Sequence, residues 1–289
     1  MGVRIVTDSS ADLPWPVAEA LDIAIVPLYI HFGDDVYREG VDITHEEFYA
    51  RMVAEAPNLP KTSAPSPADF MKVYQEILEE GDDIVSIHLS AVFSNTYNAA
   101  RLAAQELAPD RIAVLDSRSV SMCLGWVAIR AAEAALEGAE VPEICEIVED
   151  MVPRLRIPSF LETLEYVRYS GRIGSTEAFL GTVLNVKPIL DIEGGQVVPL
   201  EKVRTRGRAL ERLAEIAREL APFEDVAVMH THAPDIAAQL ADLLADVHPR
   251  QNILIAEAGV AMGSHVGPGA VGVCAVVVED KGGNGNRGL

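Results

Sequence analysis

The residues best suited to chemistry lie near the C-terminus, in Gly263-Ser264-His265-Val266-Gly267-Pro268-Gly269-Ala270-Val271-Gly272, a glycine-rich loop holding one titratable imidazole. Its last six residues spell G-x-G-x-x-G. A dinucleotide fingerprint must follow a strand and open a helix, because the N–H groups at the helix start meet the pyrophosphate. Here a β-rich apolar run, Cys274 to Val278, follows instead. The pattern therefore excludes a nucleotide cradle and predicts a loop whose backbone comes very close to a neighbour, with His265 inside it.

Other polar constellations are weaker singly. In Lys61-Thr62-Ser63-Ala64-Pro65-Ser66-Pro67 two prolines stiffen the backbone; Ser66 followed by Pro67 and Asp69 reads as a helix start, leaving Thr62 and Ser63 to face a cleft. Ser90 to Asn98 leaves a strand and opens a helix, with Ser94 as the expected N-cap and an anion-stabilising helix start behind it. His230 and His232 would share one face of a strand, yet no third metal ligand stands at a suitable spacing. Ser94 with His265 could form a nucleophile and base, but no G-x-S-x-G elbow is present. Arg168 and Arg172, set among tyrosines and glycines in residues 165–175, have the composition of a docking loop.

The elements that must position these groups follow from periodicity. Val3–Thr7, Ile84–Leu89 and Ile112–Leu115 are short apolar strands, each followed by an Asp/Ser/Asn turn and a helical pattern near 14–21, 95–107 and 120–136. That alternation predicts a parallel, helix-covered sheet whose turns share one edge, where open α/β sheets hold ligands. Asp8 and Asp116 in those turns read first as ordinary caps. The second half reads as a helix near 176–184, a hairpin about Gly194-Gly195, helices near 208–220 and 234–247, and strands near 226–230, 253–256 and 271–278. This is an α/β unit with a mixed or antiparallel sheet. The boundary is expected near 158, giving domains over 1–158 and 159–280, with a Gly/Asn-rich tail at 281–289.

With 289 residues the chain can enclose a pocket, and 23 basic against 44 acidic residues give a net charge of −21. Such a balance disfavours nucleic acid and anionic membranes as non-specific partners. Cys123, Cys145 and Cys274 have no C-x-x-C spacing and read as reduced core thiols. No signal peptide or membrane span is recognisable, so a cytoplasmic protein is expected.

Taken in order, the strings T-D-S-S-A-D-L-P (7–14), T-S-A-P-S-P (62–67), S-N-T-Y (94–97), L-D-S-R-S-V-S-M (115–122), S-G-R-I-G (170–174), K-P-I-L (187–190), V-R-T (203–205) and G-S-H-V-G-P-G-A (263–270) resemble the DegV family across nearly the whole length. The resemblance implies a two-domain α/β protein that binds a long-chain fatty acid without a cofactor, its acyl chain in an apolar tunnel and its carboxylate at the mouth. Thr62, Ser94 and His265 match the family's head-group positions, with Arg204 as a neighbour. Some family members serve as the FakB subunit of fatty acid kinase, which implies a carrier that is not itself the catalyst and a kinase partner docking at Arg168 and Arg172. Asn95 stands where the family usually has glycine; a left-handed backbone there would make Asn the tolerated substitute, whereas a glycine that made room for the ligand would mean a shifted head group here. A serine hydrolase using Ser94 and His265, or a sensor of small anions, are the alternatives.

Overall fold

In the computed structural model, residues 2–172 and 186–278 are described. The helix expected near 176–184 and the tail 281–289 lie outside them. The N-terminal half runs β1 (Val3–Asp8), α1 (Trp15–Ala20), β2 (Ala24–Val26), β3 (Tyr29–Phe32), β4 (Asp35–Arg38), α2 (His45–Ala54), β5 (Lys61–Ser63), α3 (Pro67–Glu80), β6 (Asp83–His88), α4 (Thr96–Leu107), β7 (Ile112–Asp116), α5 (Met122–Leu136) and α6 (Val141–Met151). Strands β2-β1-β6-β7 form a parallel sheet in that order. Helices α3 and α4 pack on one face through Phe70, Tyr74, Ala100 and Ala103, while α5 buries Leu124, Val127 and Ala131 against the other. A second, antiparallel sheet, β4-β3-β5, has strands of only three or four residues with mixed polarity. Sequence patterning does not mark it, because strands so short carry too little alternation.

The remainder runs β8 (Leu155–Arg156), β9 (Ser159–Phe160), α7 (Glu165–Ser170), β10 (Lys187–Glu193), β11 (Gln196–Val203), α8 (Arg206–Leu220), β12 (Phe223–His230), α9 (Pro234–Leu243), β13 (Leu254–Glu257), α10 (Val260–Val266) and β14 (Val271–Val277). Its strands form a mixed sheet, β11-β10-β9-β14-β12-β13, with β8 also on β14; only β12 and β13 are parallel. Gly194 and Gly195, both at positive φ, make the tight turn between β10 and β11 that the sequence predicts. One face is covered by α8 and α9. The other meets α5, so Ile5, Val85 and Leu124 share a continuous core with Met229, Cys274 and Val276. Strand β8 precedes residue 158 yet joins this sheet, and Leu155 and Ile157 belong to the shared core. Cys123 and Cys274 are buried, and all three cysteines are free thiols.

Candidate functional site

The turns after β1, β6 and β7 do gather at one edge; Asp8 caps the short 3-10 turn that follows β1, whereas Asp116 holds turn N–H groups and does not cap α5. Asp8 accepts hydrogen bonds from Ser10 N (3.1 Å) and Leu89 N (3.1 Å), and Asp116 from Arg118 N (2.8 Å). Asp8 Oδ2 also lies 2.9 Å from His88 Nδ1, and His88 Nε2 lies 2.7 Å from Ser86 Oγ, which accepts from the Tyr74 hydroxyl. The order Asp–His–Ser mimics a catalytic triad, but Asp8, His88 and Ser86 are all wholly buried. A substrate has no route to that serine, and the network ties β1 to β6 and α3.

After β6 the chain turns through Ser90, whose carbonyl accepts from Phe93 N and Ser94 N. Ser94 Oγ accepts from Thr96 N at 3.3 Å and lies 2.8 Å from Thr96 Oγ1. The helix start therefore falls one residue later than expected, with Asn95 at the N-cap position and Ser94 still bonding the first turn. Asn95 has φ −82°, an ordinary right-handed value, so a left-handed backbone is not what admits Asn at this position. Its side-chain carbonyl accepts from Asn98.

His265 is not in a loop. It occupies the last turn of α10, which the glycines at 263 and 267 disguise in the sequence. Each glycine answers a side chain of this protein: a Cβ on Gly263 would stand 2.6 Å from the Tyr49 hydroxyl, one on Gly267 would overlap the Tyr166 ring, and one on Gly269 would stand 2.6 Å from Glu162 Cγ. The close approach inferred from the glycine run is thus to α2, to α7 and to the segment before it. Gly267 and Gly269 also have positive φ, which glycine tolerates best.

With α10 placed in this way, His265 Nε2 meets Thr62 Oγ1 of β5 at 2.9 Å. Nδ1 is buried without a hydrogen-bond partner among the described residues. Burial and the nearby Arg172 guanidinium push the imidazole down to about 4, so it is neutral at physiological pH. Arg172 in turn reaches the Phe93 carbonyl at 3.4 Å, next to Ser94. Thr62, His265, Arg172, Ser94 and Asn95 all line one cavity of about 560 Å³. Its remaining wall is largely apolar, including Leu28, Leu89, Ile157, Leu161, Met229 and Val271. Arg172, which sequence reasoning placed in a docking loop, belongs to this lining; the surrounding tyrosines gave no signal for that. Arg168 is exposed on α7. Arg204 is exposed beyond β11 and is not among the residues that line the cavity.

The arrangement does not assemble a nucleophile and base. Ser94 is engaged by Thr96 and His265 by Thr62, and among the described residues no carboxylate orients His265 Nδ1. His230 and His232 do not share a face, because His232 lies past the end of β12 at φ 52°, and His230 Nδ1 accepts from Ala233 N. No group of three or more His, Cys, Asp or Glu side chains among the described residues is placed to hold a metal ion. No helix among them is long and apolar enough to cross a membrane.

Known proteins share this architecture. A family model described as "uncharacterised protein, DegV family" matches residues 2–278. A DegV domain-containing protein of Streptomyces coelicolor is 42% identical over 275 residues, covering 94% of this chain and 97% of its own. Among solved structures, that of a DegV family protein from Thermus thermophilus, described by its fatty acid binding, superimposes with a TM-score of 0.89 at 34% identity, covering 96% of this chain and all of the other. DegV of Bacillus subtilis, described as a fatty acid binding protein, gives 0.83 at 31% identity over 96% of this chain and all of its own. The chain belongs to the DegV family.

Proposed function

We propose that the protein binds a long-chain fatty acid, with the acyl chain in the apolar cavity and the carboxylate held by Thr62, His265, Ser94 and Arg172. The observation that carries this reading is the linkage of polar groups in a largely apolar wall: Thr62 bonds His265, His265 feels Arg172, and Arg172 bonds the residue before Ser94. Each buried methylene contributes roughly 0.8 kcal/mol. A desolvated carboxylate needs charge and donors to offset its lost hydration. A neutral His265 donating from Nε2 to Thr62 Oγ1 leaves the threonine proton for the ligand, and Arg172 supplies the counter-charge. The fatty acid binding of the Thermus and Bacillus relatives supports the same reading.

The chain then acts as a carrier, offering the carboxylate to a separate fatty acid kinase, with exposed Arg168 beside the cavity for docking. Organic extraction of the purified protein followed by mass spectrometry tests the binding. The expected result is a long-chain fatty acid in near-stoichiometric amount; no lipid, together with no uptake of added oleate, would overturn it. Acyl phosphate formation by a purified kinase, dependent on this protein and weakened by Arg168→Ala, tests the carrier role.

A further inference from the structure

The two turns of α10 carry His265 at one end, and two carboxylates grip the other. Asp12, in the turn after β1, accepts from Gly259 N at 2.8 Å through Oδ1 and from Ser121 Oγ at 2.5 Å through Oδ2. Glu39, buried after β4, accepts from Ala261 N at 2.6 Å through Oε1 and from Ser9 Oγ at 2.5 Å through Oε2. Both converge on one backbone position. A Cβ on Gly259 would overlap Glu39 Oε1 and stand 2.9 Å from Asp12 Oδ1, so the acids lie against the same side of Gly259.

Two carboxylates this close do not both ionise readily. The charges bearing on them are acidic: each other, and Asp8, whose own partner is His88. From α2, Tyr49 faces the same region and His45 bonds the Ala258 carbonyl; Glu257 of β13 bears on Tyr49. Desolvation first, then the Glu39 charge, push the Asp12 carboxyl up to about 8. The helix they hold contributes Ala261, Met262, His265 and Val266 to the cavity wall. A shift at Gly259 therefore moves His265 relative to Thr62, because so short a helix transmits displacement as a rigid body.

We propose that Asp12 and Glu39 are positioning residues for the head-group site: with one of the two carboxyls protonated, they clamp the start of α10 and fix His265 opposite Thr62, and loss of that proton sets two charges against each other, loosens the clamp and weakens ligand binding. This rests on the reading that the carboxylate is held at Thr62 and His265.

The test is the affinity for cis-parinaric acid, a fluorescent fatty acid, between about pH 6.5 and about pH 9.5. The intact protein is compared with Asp12→Asn, Glu39→Gln and His265→Ala. The intact protein should lose about tenfold or more in affinity over that range, while Asp12→Asn, which keeps the acceptor for Gly259 without the charge, should hold its neutral-pH affinity at high pH. Hydrogen exchange of the α10 amides, corrected for intrinsic rate, should accelerate in the intact protein over the same range, a readout that needs no variant to fold. An identical pH dependence in the intact protein and Asp12→Asn, or unchanged α10 protection, would overturn the clamp while weak binding by His265→Ala left the head-group reading standing. No binding by the intact protein at any pH would overturn both.

Discussion

Thr62 Oγ1 and His265 Nε2 stand 2.9 Å apart although 203 residues separate them in the chain. One is on the edge of a three-stranded sheet and the other in the last turn of α10, so their meeting is a property of the tertiary fold alone. That bond joins two polar groups of the cavity lining.

Removing either partner should weaken fatty acid binding and leave the fold intact. A hydrogen bond to a charged group contributes about 1.5–3 kcal/mol, so Thr62→Ala and His265→Ala should each lose roughly tenfold to a hundredfold in affinity. Isothermal titration with oleate measures it, and circular dichroism checks the fold. Unchanged affinity in both variants would contradict the assignment.

The pH dependence of stability carries the signature of His265. Its pKa is depressed in the folded protein, to about 4, so the unfolded chain binds the proton more readily. Stability from the neutral ring is complete above about 6.5 and is lost as pH falls toward 4. In urea, the difference in midpoint between the intact protein and His265→Gln should therefore shrink as the solution is acidified from about pH 7 to about pH 4.5. A constant difference would show that the imidazole is not shielded.

Gly267 is needed twice, for its φ of 73° and for the Tyr166 ring lying where a Cβ would be. Gly267→Ala should cost about 2 kcal/mol or more, combining backbone strain with overpacking. Denaturant titration gives the value, and adding Tyr166→Ala should restore part of it. A midpoint equal to the intact protein would remove the steric argument.

Breaking the Asp8–His88 pair should be more damaging still. Both side chains are wholly buried, and Asp8→Ala strips His88 Nδ1, Ser10 and Leu89 N of one acceptor at once. Loss of one member of a buried pair typically costs about 3–5 kcal/mol. Thermal unfolding should show a large fall in midpoint, and a small one would mean that water replaces the carboxylate.

These sites differ in how far they could be read from residues alone. The β/α alternation and the Gly194-Gly195 hairpin are legible because each is set by local periodicity and turn chemistry. Helix α2 carries a usable signal: Thr44 and Glu47 form a complete capping box. Helix α10 does not, since its glycines read as loop while their reason lies in Tyr49 and Tyr166, far away in sequence. The same holds for Asp12 and Glu39, whose shared target, the first residues of α10 and Gly259 before them, is fixed only by packing of the two halves.

A crystal structure of the protein with an added long-chain fatty acid would locate the carboxylate. Elongated density should fill the cavity along Leu89, Ile157 and Met229 and end in a carboxylate within hydrogen-bond distance of Thr62 and close to His265 and Arg172. Density with the carboxylate at the opposite end, or a saturated crystal with the cavity free of lipid, would contradict this placement.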